Sequence, residues 1–142
     1  MKRHDALKPL SREHHAALIL SQLLKKKAPA YKDLPTTPAE KAAYALEMYN
    51  SILKDHFFEE EKILDKVKIF NSEIEKLTRE IIEEHNQLAT GFIGLAINNN
   101  PEEALDKIGV ALEKHIRKEE RILFPLIQEY CPDDILKTFI KS

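Results

Sequence analysis

Apolar residues recur along this chain at alternating steps of three and four, the period of a helix with one buried face. One run reads Leu46, Tyr49, Leu53, His56, Glu60, Ile63, Val67, and another Leu105, Ile108, Leu112, His115, Glu119, Ile122, Leu126. Two more read Leu7, Leu10, His14, Ala17, Ser21, Leu24 and Ile74, Thr78, Ile81, His85, Leu88, Phe92, Leu95. Four amphipathic helices follow, and caps and breakers mark their ends. Ser11 is placed to cap the first, with Glu13 and His14 in its opening turn. Thr37 followed by Pro38 opens the second, Ser72 with Glu75 three residues on starts the third, and the Asn100-Pro101-Glu102-Glu103 stretch starts the fourth. Pro132-Asp133-Asp134 opens a short fifth helix carrying Ile135, Leu136, Phe139 and Ile140, expected to lid one end. The pattern predicts an all-α bundle.

The chain has 142 residues, which fits a single domain (1–142) large enough to bury a core without disulfides or a structural metal. A formal charge of −2 excludes any general attraction to nucleic acid or acidic membranes. The one basic run, Lys25-Lys26-Lys27, falls where the first helix should end and is expected to be solvated there. No stretch of ~18 apolar residues occurs, and no apolar run follows Lys2 and Arg3, so neither a membrane span nor an export signal is expected. The single cysteine, Cys131, fits a reducing, cytoplasmic setting.

What departs from ordinary packing is the centre of each seam. Every one of the four holds one histidine, and two hold a glutamate four residues after it. If the histidines were placed without regard to the seam, all four would land on it in roughly one case in 150. A histidine and glutamate four apart lie on one helix face about 6 Å apart along the axis, close enough to share an ion. A lone His-x-x-x-Glu is ordinarily a solvated pair, but two on facing seams with two further seam histidines point to metal ligation. A buried glutamate without a partner costs several kcal/mol, and a cation between the helices removes that cost. The candidate ligands are His14, His56, Glu60, His85, His115 and Glu119, with His15 as the alternative to His14. Glu59, Glu61 and Glu120 are expected to be solvated partners of nearby lysines and arginines, and His4 an exposed tail. Tyr49 is expected in the core with its hydroxyl hydrogen-bonded, and Pro125 to free the carbonyl of Arg121 and bend the fourth helix.

The segments His56-Phe-Phe-Glu-Glu60-Glu61-Lys-Ile-Leu64 and His115-Ile-Arg-Lys-Glu119-Glu120-Arg-Ile-Leu123 also resemble each other. With Glu13-His14, Glu84-His85 and the Leu123-Phe124-Pro125 that follows, they form a pattern that resembles the hemerythrin-like proteins over residues 7 to 130. The resemblance implies an up-down-up-down four-helix bundle with a short C-terminal fifth helix. It implies an oxo- or hydroxo-bridged, non-haem diiron centre, histidines from all four helices, and bridging carboxylates at Glu60 and Glu119. Oxygen carriers of that family supply two histidines from the third helix, whereas one turn either side of His85 stand Ile81 and Ala89. Their helix-four carboxylate also stands in some cases five residues after the histidine, which would be Glu120; the seam favours Glu119.

Other metal frameworks fit poorly. The ferritin-like Glu-x-x-His is absent, since Leu53, Ile82 and Leu112 stand three residues before His56, His85 and His115. There is no His-Glu-x-x-His and no cysteine cluster. Zinc or another divalent ion remains able to occupy a His/Glu site in a purified sample. The function expected is binding or sensing of oxygen, nitric oxide or iron, with a small diatomic molecule as partner. The alternative is a diiron oxidoreductase that activates oxygen or peroxide or reduces nitric oxide, and a purely structural bundle would bind no metal.

Overall fold

A computed structural model describes residues 2–140, all helix and connecting loop with no strand among them. Four rods make up the bundle. The first is α1 (Lys8–Leu24). The second joins α2 (Pro38–Met48) to α3 (Lys54–Val67) through a π-helical turn, Tyr49–Leu53. The third is α4 (Ser72–Gly94), and the fourth joins α5 (Glu102–Lys118) to α6 (Phe124–Tyr130) through a second π turn, Glu119–Leu123. A short α7 (Asp133–Lys137) follows.

The rods alternate in direction. One apolar cluster joins the C-terminal half of α1, the start of α2, the end of α4 and the start of α5, including Leu20, Leu24, Ala45, Phe92, Leu95, Leu105 and Leu112. A second joins the opposite ends, including Leu10, Leu64, Val67, Ile74, Leu77, Leu123 and Ile127. Between them lies a buried polar layer of His14, His56, Glu60, His85, His115 and Glu119. Leu136 of α7 is buried against the second cluster, with Ile135 and Phe139 packed at its edge, so α7 closes that end; Ile140 is exposed. The approach of α1 to α5 is close because position 109 is glycine. A Cβ there would stand 2.7 Å from the carbonyl oxygen of Ser21 and 3.2 Å from Leu24 Cβ.

The helix starts differ from expectation where a nearer group captures the free N–H donors. Thr37 and Glu40 do form a reciprocal capping box ahead of Pro38. At α4 the cap is Asn71, whose side chain accepts from the N–H groups of Glu73 and Ile74, and Ser72 is already helical. The fourth rod starts from Pro101 with no side-chain cap, Glu102 and Glu103 supplying the acidic first turn. The first helix begins at Lys8, with Pro9 in its opening turn, so Ser11 lies inside it and caps nothing.

The seams also shift. After Glu119 the rod buries Leu123, Phe124 and Ile127, while Ile122 is 49% exposed and Leu126 only half-buried. The π turn is the cause. Phe124 donates its N–H to the Glu119 carbonyl, one residue further back than in an α-helix, and the extra residue rotates everything beyond it. In the second rod Ala45 and Leu64 are buried where Leu46 and Ile63 were expected, and a π turn, with Lys54 N–H bonded to the Tyr49 carbonyl, again interrupts the register. Tyr49 lies in the core, stacked on Phe92 at 5.2 Å, but its hydroxyl makes no hydrogen bond among the described residues.

Candidate metal centre

One residue of each seam turns inward at the same level, and the α3 and π-turn glutamates join them. His14 comes from α1, His56 and Glu60 from α3, His85 from α4, His115 from α5, and Glu119 from the first position of the second π turn. None of the six is more than 3% exposed. They form two groups sharing both carboxylates, His14–His56–Glu60–Glu119 and His85–His115–Glu60–Glu119, with the donor atoms of each group within 4.8 Å of one another. Glu60 divides its oxygens between them: Oε2 lies 3.5 Å from His56 Nε2 and 3.8 Å from His14 Nε2, and Oε1 lies 2.9 Å from His85 Nε2. Glu119 Oε1 stands 3.1 Å from Nε2 of both His14 and His115. His15, the alternative ligand, is exposed on the outer side of α1 and takes no part; adjacent helical residues point ~100° apart, and His14 occupies the inward direction.

The other nitrogen of each imidazole is held by a second carboxylate from the preceding rod. His56 Nδ1 bonds Glu13 of α1 at 3.0 Å, and His85 Nδ1 bonds Glu61 of α3 at 2.7 Å. His115 Nδ1 bonds Glu84 of α4 at 2.7 Å, and His14 Nδ1 bonds Glu120 of the fourth rod at 2.6 Å, closing the ring. Nδ1 is engaged outward in every case, which aims Nε2 at the centre. Glu61 and Glu120 are therefore not merely solvated surface groups as expected; each fixes a histidine across a helix interface. The pattern uses every glutamate of the Glu-His and His-x-x-x-Glu-Glu motifs, and adjacency to the histidine, or to the inner glutamate, was its only trace in the sequence.

Eight buried atoms converge here without a hydrogen-bond partner: Nε2 of the four histidines and all four oxygens of Glu60 and Glu119. A buried ionised carboxylate left without a partner costs several kcal/mol, and positive charge at two positions would satisfy all eight atoms. Two nitrogens and shared carboxylates at each position suit a divalent transition metal. The family model for the hemerythrin HHE cation binding domain matches residues 5–127.

The chain belongs to the hemerythrin HHE cation-binding domain family.

No curated protein and no solved structure matches the chain. The third rod supplies one inward histidine, His85. Ile81 is fully buried and Ala89 half-buried, neither can ligate, and no fifth histidine enters the cluster among the described residues. The walls are aromatic, and their residues stand beside the seam positions rather than on them. Phe57 stacks on His85 at 4.1 Å and meets His115 edge-on at 5.9 Å, and Phe124 stacks on His14 at 5.5 Å. His4 is half-buried at the surface rather than in an exposed tail, with Nε2 2.8 Å from Asp133 Oδ1 and Nδ1 accepting the Ala6 N–H.

In the metal-free hemerythrin domain protons take the place of cations. Burial opposes the His56 imidazolium, but the bond to Glu13 and the charges of Glu60 and Glu119 outweigh it and hold the group at about 9. His115 is likewise opposed by burial and stabilised by Glu119, Glu84 and Glu60, reaching about 10. Burial raises the Glu119 carboxyl, yet His115 and His14 keep it well below its usual range. Glu84, raised by burial and lowered by His115 and Lys118, sits at about 2 and is an ionised acceptor near neutral pH.

Proposed function

We propose that this hemerythrin-family chain holds two irons side by side in the polar layer and uses them to bind or sense a small diatomic molecule, oxygen or nitric oxide. His14 and His56 would hold one ion and His85 and His115 the other, with Glu60 and Glu119 shared between the two. The observation that carries this reading is the set of eight buried, unpartnered donor atoms divided into two four-residue groups. When bound, the irons would supply a redox-active pair. The chain's own residues orient the imidazoles through Glu13, Glu61, Glu84 and Glu120, neutralise charge through Glu60 and Glu119, and exclude water with Phe57 and Phe124.

The closure of the site favours binding over turnover of a larger substrate. With every inner residue at 3% exposure or less, only a molecule of a few atoms reaches the ions without parting the helices. Among the described residues, no helix is long and apolar enough to cross a membrane.

The test is metal content per chain by elemental analysis after expression with iron, read beside the aerobic ultraviolet-visible spectrum. About two irons with charge-transfer bands between ~300 and ~400 nm that change with oxygen or nitric oxide support the reading. Glu60→Ala and Glu119→Ala should each release metal. Full retention in either variant refutes the bridging roles, and a wild-type protein that takes up no metal after anaerobic ferrous reconstitution refutes the centre altogether.

A further inference from the structure

Two of the four outer carboxylates carry a cation, and these two serve different metal positions. Glu120 accepts His14 Nδ1 at 2.6 Å and the Ser11 hydroxyl at 2.7 Å on Oε2, while its Oε1 takes Arg3 Nη2 at 3.0 Å. Glu84 accepts His115 Nδ1 at 2.7 Å on Oε1, while its Oε2 takes Lys118 Nζ at 2.8 Å. Glu13 and Glu61, which hold His56 and His85, pair with no lysine or arginine among the described residues.

Arg3 is held in place by the backbone as well. Its Nη2 also donates to the carbonyl of Glu120 at 3.0 Å. That carbonyl is available because the π turn sets an i+5 register and the residue five places on is Pro125, which has no N–H. It was the Arg121 carbonyl that an α-helical register led us to expect free. The guanidinium lies 5.4 Å over the Phe124 ring, which also stacks on His14. Arg3 thereby secures both the hydrogen-bond acceptor and the stacking face of His14. Lys118 bridges α5 to α4, reaching Glu80 at 2.8 Å in addition to Glu84.

We propose that Arg3 and Lys118 are positioning residues of the metal centre, each acting through one carboxylate on one histidine of a different metal position. Arg3 acts through Glu120 on His14, at the position shared with His56, and Lys118 acts through Glu84 on His115, at the position shared with His85. The inference rests on the ligand set of the preceding section. Each position has one histidine anchored to a cation and one that is not, so losing either cation loosens one position and spares the other.

The full-length protein, stripped of metal, is titrated with cobalt(II) against a competing chelator, with cobalt absorption and bound metal per chain as readouts. Wild type is expected to bind about two equivalents. Arg3→Gln and Lys118→Gln should each leave one equivalent at wild-type affinity and weaken the other about tenfold, the low end for partners beyond the ligands. Arg3→Lys keeps the charge on Glu120 but loses the planar guanidinium over Phe124 and the Nη1 bond to Gln128, and should recover part of the loss. In a double-mutant cycle Lys118→Gln should add nothing to His115→Ala, whereas Arg3→Gln should add its full tenfold. Thermal unfolding of each metal-free variant confirms folding, and if one glutamine variant does not fold the other decides the question. Unchanged affinity at both positions, or equal weakening of both by a single variant, overturns the proposal while leaving the ligand set intact. Wild type that binds no cobalt overturns the ligand set itself.

Discussion

Filling this centre should expel protons, and the number is readable. In the metal-free protein His56 and His115 titrate at about 9 and about 10, so both are imidazolium near neutral pH. A ligating Nε2 must be a bare lone pair and each position contains one of these two groups, while His14, opposed by burial but held by Glu119 and Glu120, is raised as well, so occupying both releases at least two protons at about pH 7. Displacing them at that pH opposes binding by ~3 kcal/mol at His56 and ~4 kcal/mol at His115, at 1.36 kcal/mol for each unit between pH and titration point. That opposition falls as pH rises, and the affinity of each position should climb about tenfold per pH unit until about 9 and about 10. For stability of the metal-free fold the sign is reversed. Both groups titrate higher folded than unfolded, so their contribution is complete below 6.5 and is lost as pH rises through about 9 and about 10. The gap in melting temperature between loaded and metal-free protein should therefore widen from about pH 7 to about pH 9. The assay is calorimetric titration with zinc, which has no redox chemistry, in two buffers of equal pH and different ionisation enthalpy. A heat that does not depend on the buffer, or an affinity flat across this range, would refute the reasoning.

Other perturbations separate the frame from the centre. Gly109→Ala places a methyl 2.7 Å from the Ser21 carbonyl, a clash worth about 1–3 kcal/mol against a helix-propensity gain of roughly 1. The urea midpoint should fall, and an unchanged midpoint would mean that α1 moves off α5 without strain. Phe57→Ala removes the ring stacked on His85 and should lower stability by about 3–5 kcal/mol. It should also speed removal of bound metal by a chelator, and an unaltered rate would show that Phe57 does not guard the site. Thr37→Ala breaks the capping box for about 1 kcal/mol, yet lies roughly 28 Å along the rod from His56. Metal affinity in that variant should stay at the wild-type value, and a loss of affinity would couple the cap to the centre.

The histidines and inner glutamates could be found from the sequence because what marks them is local. A 3.6-residue period says which side chains share a face of one helix, and a histidine or glutamate standing where leucine belongs is visible without knowing the partner helix. The same period favours His14 over its neighbour His15 and Glu119 over Glu120. The family motif added the order of the rods. Pairing between rods was out of reach. Glu13 meets His56 and Glu120 meets His14 across 43 and 106 residues of chain, and those contacts depend on how far each helix is rotated and staggered against the next. The same holds for Arg3, whose target is a carbonyl that becomes free only because a π turn and Pro125 coincide. A π turn is a change of backbone hydrogen-bond register, so it leaves the order of residues untouched while moving the buried positions from Ile122 and Leu126 to Leu123 and Ile127. By itself, then, the sequence determined the four helices and the six inward groups, since each is set by spacing within one helix. Only the tertiary structure decided which carboxylate holds which histidine, since that is set by the packing of one helix on another.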